Sequence, residues 1–151
     1  MKVTALEEYG LRCLLLFADN KDSESLTLQE ISNREGLSLP YAGKLLMILK
    51  KAGLVEAIRG RKGGYVLSRP AHEIKLQEVF SALGDSLYGS HHCEKYSESD
   101  DVCVHNDDCK VGSLWDSFNT HIQSILTTVT LADVANGKAD HLVNLTETKK
   151  E

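Results

Sequence analysis

Apolar and polar positions alternate along this chain with helical spacing through most of its length. From about Val3 to Ala18, Leu6, Leu11, Leu14, Leu15 and Phe17 give one broad apolar face, and Asp19-Asn20 mark its end, so the first element reads as a helix. Lys21 to Ser25 is a polar loop. Thr27 and Glu30 form a capping-box pair that opens a second, short helix, and Gly36 stops it. Ser38 is the next N-cap, with Pro40 tolerated in the first turn. The helix it opens runs to about Ala52, anchored by Leu45, Leu46, Ile48 and Leu49, and Gly53 ends it. Two short helices joined by a tight glycine turn predict a helix-turn-helix, whose second member reads the major groove from its N-terminal end.

The period then changes. Leu54 to Ile58 and Tyr65 to Leu67 are short β-prone runs flanking Arg59-Gly60-Arg61-Lys62-Gly63-Gly64, which predicts a hairpin with a glycine-rich basic tip. Ile74 to Leu83 returns to helical spacing and Gly84 closes it. A polar stretch from about Asp85 to Gly112 follows. Ser113 and Asp116 suggest a second capping box, opening a helix with Trp115, Phe118, Ile122, Ile125, Val129 and Ala132 along one seam. Trp115 falls in that seam, whereas Leu114, Leu126 and Leu131 lie off it, towards the body. The helix is expected to end near Asn136-Gly137, leaving a polar tail. The expected fold is mainly α with a small β-hairpin. It divides into a winged helix-turn-helix unit (1–84), a cysteine-bearing loop (85–112), a dimerisation helix (113–135) and a tail (136–151). No internal repeat is present.

Composition changes this picture little; charge distribution changes it more. The chain has 151 residues, 42% of them hydrophobic and 26% charged, ordinary for a globular protein. No apolar run reaches membrane-spanning length, and the N-terminus lacks the features of a signal peptide. That points to the cytoplasm of a bacterium-like cell. The net charge of −5 argues against nucleic acid until its placement is considered. Between Arg34 and Arg69 eight basic residues (Arg34, Lys44, Lys50, Lys51, Arg59, Arg61, Lys62 and Arg69) face two acidic ones (Glu35 and Glu56), a local balance of +6. A basic surface confined to the helix-turn-helix and hairpin is what phosphate binding needs. On these grounds Lys44, Arg59, Arg61, Lys62 and Gly63 are expected at DNA backbone or grooves, with Ser38, Tyr41 and Lys44 near base edges. For Tyr41, bracing the helix is the competing reading.

The stretch Cys93 to Cys109 carries the remaining chemistry. It holds three of the four cysteines (Cys93, Cys103 and Cys109) and six carboxylates against one lysine, Lys95. A segment this poor in apolar groups forms no core of its own, and three soft sulfur ligands within it suggest ordering by a metal. In a reducing compartment clustered cysteines serve metals more often than disulfides. Spacing leaves two metals open: zinc, with His92 or His105 as a fourth ligand, and an iron–sulfur cluster. Cys13, inside an apolar helix, reads as a small buried hydrophobe. No nucleophile elbow and no phosphate-binding glycine loop ahead of a helix is present, so nothing points to an enzyme.

The chain resembles the bacterial winged-helix regulators that include IscR, NsrR and RirA. The matching residues are Glu8-Tyr9-Gly10-Leu11-Arg12, Ser38-Leu39-Pro40-Tyr41, the block AGLVEAIRGRKGGYVLSRP (Ala52 to Pro70), Glu73-Ile74, Val79, the three cysteines, and Thr130-Leu131-Ala132-Asp133-Val134. The likeness covers about residues 1 to 135, and the hairpin block is its most specific part. It implies a cytoplasmic, homodimeric transcription regulator, usually a repressor, with crossing long helices and a palindromic double-stranded operator. It also implies a [4Fe-4S] or [2Fe-2S] cluster that senses nitric oxide, iron or redox state. IscR-like members carry a histidine ligand three positions after the third cysteine; here that position is Gly112. NsrR-like members use a first-helix carboxylate from the partner subunit, and Glu8 stands at the matching place. Its plain alternative is a solvated carboxylate beside Glu7. The nine residues between Cys93 and Cys103 exceed the usual gap, so the resemblance leans towards NsrR-like or RirA-like sensors. The contrasting expectations are a metal-binding redox protein or electron carrier, and a regulator that binds DNA without a cluster.

Overall fold

A computed structural model describes residues 3–20, 25–61, 63–84 and 109–138. Cys93, Cys103, Lys62, His92 and His105 lie outside the described residues. The described chain is mainly helical with one two-stranded antiparallel hairpin.

Helix α1 (Ala5–Asp19) starts two residues later than the periodicity suggests, because Thr4 caps it. The Thr4 backbone and hydroxyl both donate to Glu7 Oε2, at 2.7 and 2.8 Å, and the Glu7 amide donates back to Thr4 Oγ1 at 3.2 Å. Helix α2 (Leu28–Glu35) opens on the same device, Thr27 with Glu30, and ends at Gly36 in the left-handed region with φ +66°. Ser38 caps α3 (Leu39–Lys51), with Oγ accepting the Tyr41 amide. These caps satisfy amides that have no partner within the helix, so they fix where each helix begins.

One core joins the elements. Cys13, Leu14 and Phe17 of α1 meet Ile31 of α2, Leu45, Leu46 and Leu49 of α3, Leu54, Val55, and Val79 and Leu83 of α4 (Leu76–Leu83). Each such side chain, withdrawn from water, stabilises the fold by about 1.5–3 kcal/mol. Gly10 lets α1 and α4 approach, since a methyl group there would come within 2.4 Å of Leu83.

The hairpin pairs β1 (Val55–Ile58) with β2 (Gly64–Leu67), with Val55 opposite Leu67 and Ile58 opposite Gly64. Leu26 adds a third rung from outside, exchanging two backbone bonds with Tyr65 at 2.8 and 3.0 Å. That rung explains Gly64: a Cβ there would lie 2.6 Å from the Leu26 carbonyl oxygen, which is backbone and cannot swing away. Gly64→Ala is therefore expected to destabilise the fold by about 1–3 kcal/mol, the usual cost of overpacking. Denaturant unfolding measures it, and a midpoint equal to wild type would remove the Leu26 rung from the account.

The C-terminal region departs from expectation at both ends. The long helix, α5 (Lys110–Thr128), opens three residues before Ser113 because Cys109 is its N-cap, with Sγ accepting the Gly112 amide at 3.1 Å. The expected Ser113–Asp116 box does not form; Ser113 Oγ donates to the Lys110 carbonyl. Nor does the helix run to Asn136. It stops at Thr128, and Thr130 with Asp133 caps a new short helix, α6 (Leu131–Ala135). The break has a physical cause. Ile74 and Lys75, preceded by a 3-10 turn at Ala71–Glu73, run extended, and Lys75 bridges to Thr130. The Leu76 amide donates to the Val129 carbonyl at 3.0 Å, and the Leu131 amide to the Ile74 carbonyl at 2.8 Å. Lys75 Nζ donates to the Thr128 carbonyl at 3.1 Å, which satisfies one of the helix's last acceptors. The helix predicted from Ile74 accordingly begins two residues later, at Leu76.

Candidate nucleic-acid interface and metal ligands

The rotation of α3 is set by what it buries. Ala42, Leu45, Leu46 and Leu49 face the core, each fully buried. At 100° per residue the opposite side is then Pro40, Lys44, Met47 and Lys51, with Leu39, Gly43 and Lys50 on the flank between it and the core. Apart from Gly43, which is half-buried, all of these are exposed, Met47 at 65% and Leu39 at 41%. Lys44 lies where the sequence places it. Leu39, Pro40 and Met47 are not among the DNA contacts expected from the sequence, because apolar residues in a short helix look like core. Only the burial of the other face shows that these point outward.

Tyr41 sits between the two faces. It is half-buried, and its ring meets Tyr9 of α1 edge to face, with centroids 6.0 Å apart at 89°. Of the two roles open to it, bracing is the one this contact serves. Tyr9 in turn carries the Arg12 guanidinium 5.4 Å from its centroid, and Arg12 Nε donates to Glu35 Oε2 at 2.7 Å. A continuous line of contacts therefore joins the first turns of α1, the end of α2 and the start of α3. Glu8 is adjacent to Tyr9 and exposed.

The hairpin tip is a tight turn in which the Gly63 amide donates to the Gly60 carbonyl at 3.0 Å. Gly60 has φ +134°, a conformation open to glycine at little cost. Arg59 and Arg61 project from this turn, both exposed. Arg69 is different: it is ion-paired with Glu78 of α4 and also donates to the Gly53 carbonyl. Burial opposes the Glu78 charge, but the Lys75 amide and the Arg69 guanidinium together hold its carboxyl below the ordinary range. Of the basic residues in the local +6, Arg69 fixes the hairpin's base to the body.

Of the sequence-expected metal ligands, Cys109 and Glu8 are described. Cys109 is half-buried at the head of α5, and its sulfur accepts a backbone amide. Sulfur is a soft ligand of the kind that iron and zinc take, so the donor chemistry at Cys109 fits a metal-bound cysteine. Gly112 offers no side chain as a ligand, and a Cβ there would lie 3.3 Å from Cys109 Sγ. Glu7, next to Glu8, is buried; it is committed to the Thr4 cap and lies against Gly84. Among the described residues no three potential ligands converge. Cys13 is fully buried in the core as expected, and burial, helped by the Glu35 charge, pushes its thiol up to about 11. It is a neutral packing group.

Helix α5 carries one apolar face, covered by the body only along its C-terminal half. Ile122, Ile125 and Leu126 turn to the body, where Leu126 and Val129 pack with Leu76, Phe80 and Leu11. Val111, Leu114 and Phe118 are exposed at 62%, 50% and 46%. Leu126 and Leu131 pack inward as the sequence suggests, but Leu114 faces outward, while Val129 leaves the seam for the body. The exposed stripe is therefore Val111, Leu114 and Phe118, and Ile122 and Ile125 continue the same face onto the body. Trp115 is half-buried, edge to face with Phe118. Among the described residues no helix is long and apolar enough to cross a membrane.

Residues 3–137 match the Rrf2 family, described as "Iron-dependent Transcriptional regulator". The HTH-type transcriptional regulator IscR of Cronobacter sakazakii is 31% identical over 138 residues, 91% of this chain and 82% of that one. Among solved structures, T. potens IscR superposes with a TM-score of 0.69 at 28% identity, covering 100% of this chain and 94% of the other. CymR (YrzC), the global cysteine regulator of B. subtilis, superposes with a TM-score of 0.73 at 26% identity, covering 90% and 97%.

Proposed function

The chain belongs to the Rrf2 family of winged-helix transcriptional regulators, whose named members are regulators rather than enzymes; from that premise we propose a homodimeric cytoplasmic repressor that binds a palindromic operator with an affinity set by an iron–sulfur cluster. The observation that carries the DNA side of this reading is the shared exposure of Lys44, Lys50 and Lys51 on α3 and of Arg59 and Arg61 on the wing. In this reading α3 enters the major groove with Ser38 and Lys44 near base edges, and Tyr41 holds the angle of entry. Arg61, with Lys62 and Gly63, reaches the adjacent minor groove, where narrowing concentrates negative potential.

Arg61→Ala tests this directly. Operator affinity is expected to fall, and the slope of log affinity against log salt to drop by about one unit, as one phosphate-type contact is lost. Fluorescence anisotropy across a salt series reads both quantities. A slope equal to wild type would take Arg61 out of the interface.

On the sensing side, Cys93, Cys103 and Cys109 would hold the cluster, with Glu8 of the partner subunit as the fourth ligand. Bound there, the cluster would supply iron that is open to oxygen, nitric oxide and changes of iron supply, the more so because a carboxylate is a harder and weaker ligand than a thiolate. The chain's own contribution is positional. Cys109 ties the cysteine segment to the head of α5, and Glu8 ties it to the first turn of α1. Tyr9, the next residue, bears on Tyr41 at the start of α3. A displacement of α1's first turn is thus delivered to the DNA-reading helix. A coupling of about 1–3 kcal/mol through such a contact changes affinity roughly 5- to 150-fold, enough for a switch.

A further inference from the structure

We propose that α3 reads thymine methyl groups, with Met47 as the principal reader and Leu39 and Pro40 beside it. This rests on the DNA-binding reading above and names the chemistry the helix selects. The face of α3 opposite the core is not the wholly charged surface usual for a solvent-facing helix. Pro40 and Met47 share its centre with Lys44 and Lys51, Leu39 lies on the flank beside Gly43, and Met47 is the most exposed large apolar side chain on the described chain at 65%. Water is a poor environment for a thioether at that exposure, so the side chain gains free energy when an apolar group covers it.

The surroundings select the covering partner. Lys44 and Lys51 alternate with Pro40 and Met47 along it, and Lys50 lies at its edge, so the partner presents anionic and apolar groups side by side. A major groove answers that description. Its walls are phosphates, and its floor is hydrogen-bonding base edges interrupted by the C5 methyl of thymine, the one apolar group displayed there. Gly43 lies beside Leu39 on the flank, with only Leu28 Cδ2 near its missing Cβ, at 3.8 Å. A side chain would fit there without strain, so glycine is not required by the fold; its absence of bulk lowers that part of the helix towards the groove floor. The hydrogen-bonding side chains at the centre of this face are Lys44 and Lys51, and Met47, Leu39 and Pro40 can discriminate only by methyl contact. The preferred half-site accordingly contains thymines where α3 lies.

The test uses full-length protein and random-sequence duplexes, from which bound DNA is selected and sequenced. The highest-affinity duplex is then synthesised with thymine replaced by uracil, one half-site position at a time, which removes a methyl and leaves every hydrogen-bonding group. At the positions under α3, each lost methyl is expected to weaken wild type about fourfold, the equivalent of about 0.8 kcal/mol for a buried carbon. Met47→Ala, an exposed change that leaves the core intact, is expected to bind the thymine duplex more weakly and to respond to uracil at fewer positions. Selection of a palindrome that binds equally well with uracil throughout overturns the methyl reading while DNA binding stands. A Met47→Ala variant with wild-type affinity and wild-type uracil response removes Met47 as the reader. Selection that enriches no duplex overturns the operator reading itself, and this proposal with it.

Discussion

Phe118→Asp is expected to leave the protein monomeric and to lower its operator affinity by about a hundredfold or more, because the second half-site contact is no longer intramolecular. Phe118 is the last residue of the exposed stripe of α5, with Leu114 one turn and Val111 two turns before it. The stripe is too apolar for a helix face meant only for water, and its spacing of 4 and 3 is that of paired helices. Burying a carboxylate between two copies, with no cation beside it, costs more than the apolar contact contributes. The same charge at Thr120, exposed on a different side of α5, should change neither quantity. Sedimentation measures the mass and anisotropy the affinity. A dimeric Phe118→Asp protein would move the dimer contact to another face.

Cys109→Ala has the second large effect. Anaerobically prepared protein should lose its brown colour and its iron, and with them the whole difference between loaded and stripped forms, roughly 5- to 150-fold. The change also removes the sulfur that caps α5, and because sulfur is a weaker acceptor than a hydroxyl the expected loss from the cap alone is below the ~1 kcal/mol of an oxygen cap. Cys109→Ser separates the two roles. It keeps a capping oxygen but offers a poor ligand for iron, so it should restore stability without restoring colour. Tyr9→Leu is the complement: ligands stay, colour stays, and the affinity difference shrinks because the edge contact with Tyr41 is gone. Full colour in Cys109→Ala would exclude Cys109 from the ligand set.

Much of the winged-helix body was legible because its signals are local. Thr27 with Glu30, Gly36, Ser38 and Gly53 each act within one turn of the chain, and the structure uses each of them where the sequence places it. What was not legible depends on distant segments. The break after Thr128 follows from pairing with Ile74 to Leu76, about fifty residues earlier, which a seam of apolar residues conceals. Thr130 and Asp133 did carry a capping-box signal, but the heptad pattern ran straight through it. Cysteine is not among the usual N-caps, so the start of α5 at Cys109 had no signal in the residues. The outward position of Met47, Leu39 and Pro40 needed the rotation of α3, which only tertiary burial fixes. The basic wing was read from Arg59, Arg61 and the glycines, while the pairing of Arg69 with Glu78 could not be seen from charge counting.

The most direct measurement takes one preparation of oxygen-free protein, divides it, strips the metal from one half, and titrates both against the same selected palindromic duplex at one salt concentration. The account predicts affinities that differ by roughly 5- to 150-fold, with iron content tracking the difference. Equal affinities for demonstrably loaded and demonstrably stripped dimers would contradict it.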